Sequence, residues 1–187
     1  DQLTPPPDHT PVGHSIPCDL NPDQQASSRT EIIAAINALD IRDTVSNVDL
    51  MLVGDTPYII EIGARMGATC LPETVSIYGD FNAYDCVLSL ALGESVMVTD
   101  THGGTSNASR MIESPRDGVV QDVRVPETVL SHPNLHRVSI SVKPGDSVRR
   151  FQVGPDRIGD VIVTGSSAAE AERLAASLAA KIEVVFV

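Results

Sequence analysis

Hydrophobic positions recur along the chain with two periods, and the change of period marks the elements. Residues 1–26 carry six Pro among polar residues, which predicts loop, with one short apolar patch at Val12-Gly13-His14-Ser15-Ile16-Pro17. Ile32, Ile36 and Leu39 then recur at helical spacing behind Ser28 and Glu31, an S-x-x-E capping box, so a helix is expected there, ending near Asp40. Two apolar runs, 47–53 and 57–64, flank Gly54-Asp55-Thr56 and read as a hairpin. If Val53 faces Pro57 across a three-residue loop, Asp49 faces Glu61. Alternation then places Asp49, Met51, Glu61 and Gly63 on one face, with Val48, Leu50, Ile60 and Ile62 on the other. Leu71-Pro72-Glu73 opens a short helix ending near Gly79. Asp80 reads as the N-cap of the next helix, which shows Tyr84, Val87, Leu88 and Ala91 on one face and stops at Gly93.

Composition shifts over 94–118, and residues 101–109 are rich in Gly, Thr, Ser and Asn, as a boundary or mobile loop would be. Beyond it, 119–125, 135–142 and 148–153 read as strands, the last two joined by a turn at Lys143-Pro144-Gly145-Asp146. A further strand at 161–164 leads to Ser167 and Glu170, which cap an Ala-rich helix running to about Ala180. Residues 182–187 close as an apolar strand. Two strands flanking that helix predict a small α+β unit with the helix on one face of its sheet. The expected organisation is a first unit over 1–94, a linker or mobile loop over 95–110 and a small α+β module over 111–187.

Charge narrows the function. The 187 residues are 42% hydrophobic, enough for a sizeable core, but only 3% aromatic and without Trp, so Val, Ile, Leu and Ala must do the packing. A net charge of −12 opposes binding to nucleic acid or to an anionic membrane. The imbalance lies entirely in residues 1–100, which hold 15 acids against three bases, Arg29, Arg42 and Arg65; both lysines, Lys143 and Lys181, come later. Three Cys without paired spacing suit a reducing, cytoplasmic setting rather than a disulfide scaffold. No apolar run reaches the ~18 residues of a membrane span. A Pro-rich beginning at Asp1, with neither Met nor a signal sequence, reads as the interior of a longer chain.

Two carboxylates set opposite each other on neighbouring strands repel unless a positive charge sits between them, which makes Asp49 and Glu61 the most informative pair in the sequence. On the residues alone they are either metal ligands or the solvent-facing charges of an ordinary hairpin. Arg65 and the glycines at 63 and 67 favour the first reading. A planar guanidinium four residues past Glu61 suits a phosphoryl group or carboxylate, and glycines let phosphate approach the backbone. Mg²⁺ takes such hard oxygens and bridges carboxylates to phosphates.

The segment Val48-Asp49-Leu50-Met51 followed by Glu61-Ile62-Gly63-Ala64-Arg65-Met66-Gly67 resembles the metal-binding hairpin of ATP-grasp enzymes, where an acid precedes Glu-x-Asn-x-Arg and a Gly-rich bend. The resemblance continues through Leu71-Pro72-Glu73 and Leu90-Ala91-Leu92-Gly93-Glu94. Gly118-Val119-Val120, Val142-Lys143-Pro144-Gly145-Asp146 and residues 156–165 resemble the C-terminal module of carboxylate–amine ligases of the L-amino-acid-ligase type. Gly13-His14-Ser15-Ile16-Pro17 is similar to their substrate-side element. The resemblance implies an α+β chain: the C-terminal half of an ATP-grasp fold, antiparallel sheet with helices, then a small α+β module. It further implies ATP as cofactor with Mg²⁺ (or Mn²⁺), metal ligands Asp49 and Glu61, cofactor contacts at Gly63 and Gly67, Arg65 as a catalytic and substrate-binding residue, and His14 on the substrate side. The implied reaction activates a carboxylate as an acyl phosphate and joins it to an amine. The phosphate-binding lysines, and access to ATP and both substrates, would lie in a preceding half, leaving this piece inactive alone. A homodimer is compatible with the pattern. One position departs from it: Gly63 stands where the family carries an Asn ligand, a place for water or a backbone carbonyl. A bicarbonate-activating carboxylase or carbamoyl-phosphate-type enzyme, and a non-catalytic nucleotide-binding module, are the alternatives.

Overall fold

A computed structural model describes residues 1–3, 10–98 and 104–187, which divide into two compact units. One comprises Asp1–Pro17, Thr69–Asp80 and Thr101–Val187; the other comprises Cys18–Ala68 and Phe81–Asp100. Parts of the expected loops, at 4–9 and 99–103 (including His102 and Gly103), lie outside the described residues.

The elements run in the order β1 (Gln2–Leu3), β2 (Pro11–Ile16), α1 (Pro22–Ala38), β3 (Asn47–Val53), β4 (Thr56–Gly63), α2 (Leu71–Gly79), α3 (Ala83–Ala91), β5 (Asn107–Glu113), β6 (Gly118–Arg124), α4 (Glu127–Leu130), β7 (Leu135–Ile140), β8 (Ser147–Val148), β9 (Arg157–Thr164), α5 (Ala168–Ala179) and β10 (Glu183–Phe186). Every strand pairing among the described residues is antiparallel. Helices packed with antiparallel sheets make this an α+β chain, as its patterning predicts.

The first unit is built on a five-stranded sheet in the order β1-β2-β5-β9-β7, with a three-stranded sheet β10-β6-β8 beside it. Helix α5 packs against β2, β5 and β9 of the larger sheet. Ala171, Ala175 and Leu178, spaced four and three residues apart, turn one fully buried stripe toward Ala108, Ile112, Val161 and Val163. Burying a side chain the size of Leu178 contributes about 2 kcal/mol, and the alanines let the helix come close to the sheet. The strands flanking α5 belong to different sheets, so the expected single sheet beneath the helix is corrected to two. The composition-based linker also needs correction at its C-terminal end. Asn107–Glu113 is the interior strand β5, held between β2 and β9 and largely buried. Its Asn and Ser side chains mimic a loop in composition, yet Asn107 is fully buried and donates from Nδ2 to the carbonyls of Thr74 (3.0 Å) and Thr105 (3.0 Å). The expected strand over 148–153 is only the two residues of β8, followed by bends and a short 3₁₀ turn at Gly154–Asp156.

In the second unit, α1 begins six residues before the expected capping box. Asn21 caps it: its side chain accepts from Gln24 N (2.9 Å), and Gln24 Oε1 accepts from Asn21 N (3.1 Å), with Pro22 at the first helical position. Ser28 lies inside the helix and is buried. Asn82, rather than Asp80, caps α3, accepting from Tyr84 N (3.0 Å) and Asp85 N (3.4 Å). Helix α1 packs on β4, and Gln24 Nε2 donates to Asp55 Oδ1 in the hairpin turn (2.9 Å).

Candidate functional site

The hairpin β3–β4 closes on the two-residue turn Gly54-Asp55, with Val53 opposite Thr56. The turn is one residue shorter than the sequence predicts, yet Asp49 still faces Glu61, because the register shifts by one residue between Asp49 and Leu50. The extra residue is Ile60, which is 64% exposed instead of filling the inner face; Ile59 takes that inner place, opposite Leu50. The bulge therefore sits immediately beside the carboxylate pair. Asp49 and Glu61 are both exposed and share the outer face.

Three further groups complete this end of the hairpin. Asn47 pairs with Gly63, one step beyond the acids, and donates from Nδ2 to Asp49 Oδ1 (3.1 Å). Arg65 doubles back across Gly63: a Cβ there would lie 3.4 Å from Arg65 Cγ and 3.7 Å from Cζ. Its Nη1 donates to the Met66 carbonyl (2.9 Å), and the side chain is exposed. Gly67 lies in the irregular segment following the bend. Among the described residues no three His, Cys, Asp or Glu side chains gather as a metal site. A cation at the hairpin would rely on Asp49 and Glu61 plus oxygens of another kind. Hard carboxylate donors on paired strands fit Mg²⁺ or Mn²⁺.

His14 lies in the other unit, on β2, and is 5% exposed. Its Nδ1 is 2.7 Å from Asp1 Oδ1 and its Nε2 is 2.7 Å from Thr69 Oγ1. Gly13 beside it is required by packing, since a Cβ would run into the Ser109 carbonyl across the β2–β5 pair. In the same unit Arg137 of β7 joins two acids: Nη1 donates to Glu73 of α2 and Nη2 to Asp160 of β9, both at 2.9 Å. Cys70 sits in this cluster, 3.6 Å from Arg137 Nη2. Burial, together with the charge of Asp160 and a hydrogen bond to it, pushes its thiol up to about 12.

Comparison with known proteins gives this geometry a context. Residues 110–187 match the family model of L-amino acid ligase C-terminal domain 2. The whole chain is similar in structure to phosphoribosylglycinamide synthetase from Anaerococcus prevotii, with 26% identity and a TM-score of 0.88, covering 100% of this chain and 48% of that one. It is also similar to the L-amino acid ligase from Bacillus licheniformis, with 21% identity and a TM-score of 0.78, covering 94% and 44% of the two chains.

The chain has the fold of the C-terminal part of ATP-grasp ligases.

The same ATP-grasp likeness extends to the biotin carboxylase domain of the Hydrogenobacter thermophilus 2-oxoglutarate carboxylase, a dimer solved with MgADP, ADP and bicarbonate. There the identity is 14% and the TM-score 0.71, over 93% of this chain and 39% of that one. No curated protein sequence matches the chain. It spans about half the length of the solved ATP-grasp relatives it matches.

Asp49, Glu61, Gly63 and Arg65 are thus gathered at one end of a single hairpin, while His14 lies in the other unit with both ring nitrogens engaged. Asn47 carries no motif of its own, although the register that opposes Asp49 to Glu61 also opposes Asn47 to Gly63. Arg137, whose partners are 64 and 23 residues away, has no local signal. Among the described residues no helix is long and apolar enough to cross a membrane.

Proposed function

We propose that this chain is the metal-binding half of an ATP-dependent carboxylate–amine ligase. The observation that supports this reading most directly is the opposition of Asp49 and Glu61 on the exposed face of a hairpin in the ATP-grasp fold, with Arg65 laid across Gly63 beside them. A carboxylate oxygen of the substrate attacks the γ-phosphorus of ATP, the bond to the bridging oxygen breaks, and ADP leaves. The amine then attacks the acyl carbon, loses a proton and expels phosphate, leaving an amide. Asp49 and Glu61 would hold Mg²⁺, which when bound neutralises the phosphate charge that otherwise opposes attack. Arg65 presents a guanidinium to the developing phosphoryl or carboxylate charge. Gly63 and Gly67 leave the backbone open to phosphate. His14 is assigned to the substrate side, a role that requires Asp1 or Thr69 to yield a ring nitrogen.

The test is ATP-dependent ligation by the full-length protein. Glu61→Gln should abolish amino-acid-stimulated ADP release, and unchanged turnover would remove Glu61 from the site. ADP release stimulated by bicarbonate instead of amino acids would support the carboxylase alternative, which has the biotin carboxylase fold likeness in its favour. Nucleotide binding without turnover would support a non-catalytic module. For residues 1–187 alone, Lys-free through residue 100 and covering 48% of the synthetase, we expect no ATP binding at micromolar affinity. Calorimetry showing tight binding would overturn that expectation.

A further inference from the structure

Gly63 has no side-chain oxygen where the resemblance implies an Asn ligand, and Asn47 stands directly across from it. Resting on the metal-site reading above, we propose that the Asn47 carboxamide oxygen is the third protein ligand of the cation held by Asp49 and Glu61. Asn47 and Asp49 are two residues apart on β3, so their side chains leave the same face. Gly63 and Glu61 occupy the partner positions on β4. With no side chain at 63, the nearest atoms to a Cβ position there belong to the Arg65 side chain and come no closer than 3.4 Å.

The hydrogen bond from Asn47 Nδ2 to Asp49 Oδ1 orients the carboxamide beside the acid and commits its donor end. Its acceptor end, a hard neutral oxygen of the kind Mg²⁺ and Mn²⁺ take, is then the group available to a cation. Two carboxylates and one carboxamide give a set that needs no residue from outside the hairpin. The arrangement moves the neutral ligand from one strand to its neighbour, at the same rung of the ladder.

Paramagnetic broadening on the chain itself tests this. Mn²⁺ is titrated into uniformly ¹⁵N-labelled protein, and the backbone signals of 47–49 and 61–63 are followed with the Asn47 side-chain NH₂ signal. Intact strand amide signals in each variant show that the hairpin is formed. The wild type should broaden at these positions, and Glu61→Gln should remove the effect. Asn47→Ala should weaken Mn²⁺ binding by about tenfold, while Asn47→Asp, which keeps an oxygen and loses the donor, should bind at least as tightly as the wild type. If Asn47 served only to orient Asp49, Asn47→Asp would bind as weakly as Asn47→Ala, and the proposal would fall. Equal binding by Asn47→Ala and wild type, with Glu61→Gln inactive, would also overturn it while leaving the Asp49–Glu61 reading intact. No broadening of the wild-type hairpin would overturn both.

Discussion

At Cys70, burial and the Asp160 carboxylate hold the thiol at about 12, so the residue stays protonated at pH 8. Because the thiolate is the reactive form, iodoacetamide should modify Cys70 at least about tenfold more slowly than the exposed Cys18. Peptide mapping over a time course checks this, and equal rates would mean that the Asp160–Arg137 surroundings of the thiol are open in solution. Arg137 is the cation that lets Glu73 and Asp160 lie half-buried near each other. Its fork reaches one acid with each terminal nitrogen, a geometry that a lysine cannot reproduce. Arg137→Ala should cost about 2 kcal/mol, taking two charge-assisted hydrogen bonds and discounting for partial exposure. Urea unfolding measures it, and a loss below about 0.5 kcal/mol would reduce the cluster to a surface ion pair. Arg137 is not marked by its sequence neighbours and acquires its partners only when distant elements pack, whereas Asn47 bonds Asp49 within its own strand and meets Gly63 only across the hairpin.

Among the elements, α5 shows local chemistry deciding a helix start. Ser167 accepts from Glu170 N (3.2 Å), while the Glu170 carboxylate takes hydrogen bonds from the Ser166 hydroxyl and backbone N–H. Those bonds lower the Glu170 carboxyl below its usual range. A depressed folded-state value means that the cap's contribution is complete above the unfolded value of about 4.3 and is lost as pH falls through the folded one. An NMR titration should therefore find the Glu170 midpoint below that of an unfolded glutamate, moving upward in Ser166→Ala; a midpoint at the ordinary value would mean that the cap does not form. Ser167→Ala should cost about 1 kcal/mol in thermal or urea unfolding. This cap was legible because Ser167 and Glu170 lie three residues apart. The start of α1 is equally local, with Asn21, Pro22 and Gln24 close in sequence, but the Pro-rich composition of residues 1–26 masks it as loop. The hairpin's opposition of Asp49 to Glu61 was legible, and its bulge was not: a shorter turn and an extra residue offset each other.

Across the whole molecule, burial is unevenly distributed. The fully buried apolar side chains, among them Val12, Ala108, Ile158, Val161, Ile162, Val163 and Leu178, belong to the first unit. In the second, Met51, Val53, Tyr58 and Ile60 of the hairpin and Leu88 and Leu92 around α3 are exposed. Hydrogen exchange should follow that difference. Amides of β5 and β9, in the middle of a five-stranded sheet, should exchange at least about a hundredfold more slowly than those of the two-stranded β3–β4 pair. Equal protection would show that the two units open together. The acidity of residues 1–100 also divides at this scale. Asp49 and Glu61 are gathered at one end of the hairpin, whereas Glu73 is neutralised by Arg137 in the other unit.

The sequence by itself determined the strand-turn-strand that opposes Asp49 to Glu61, the caps of α5 and the α+β alternation. Each depends on side chains a few residues apart, where backbone preference and turn chemistry suffice. Tertiary structure alone decided that the stretch 107–113 is an interior strand, because Asn107 reaches Thr74 of α2 and Ser109 accepts from the His14 backbone N–H only when β2, β9 and α2 are assembled around it. It also decided which acids Arg137 holds, and that the hairpin bulges at Ile60. The first comes from pairing distant segments and the second from a one-residue shift in register, and no short run of residues encodes either.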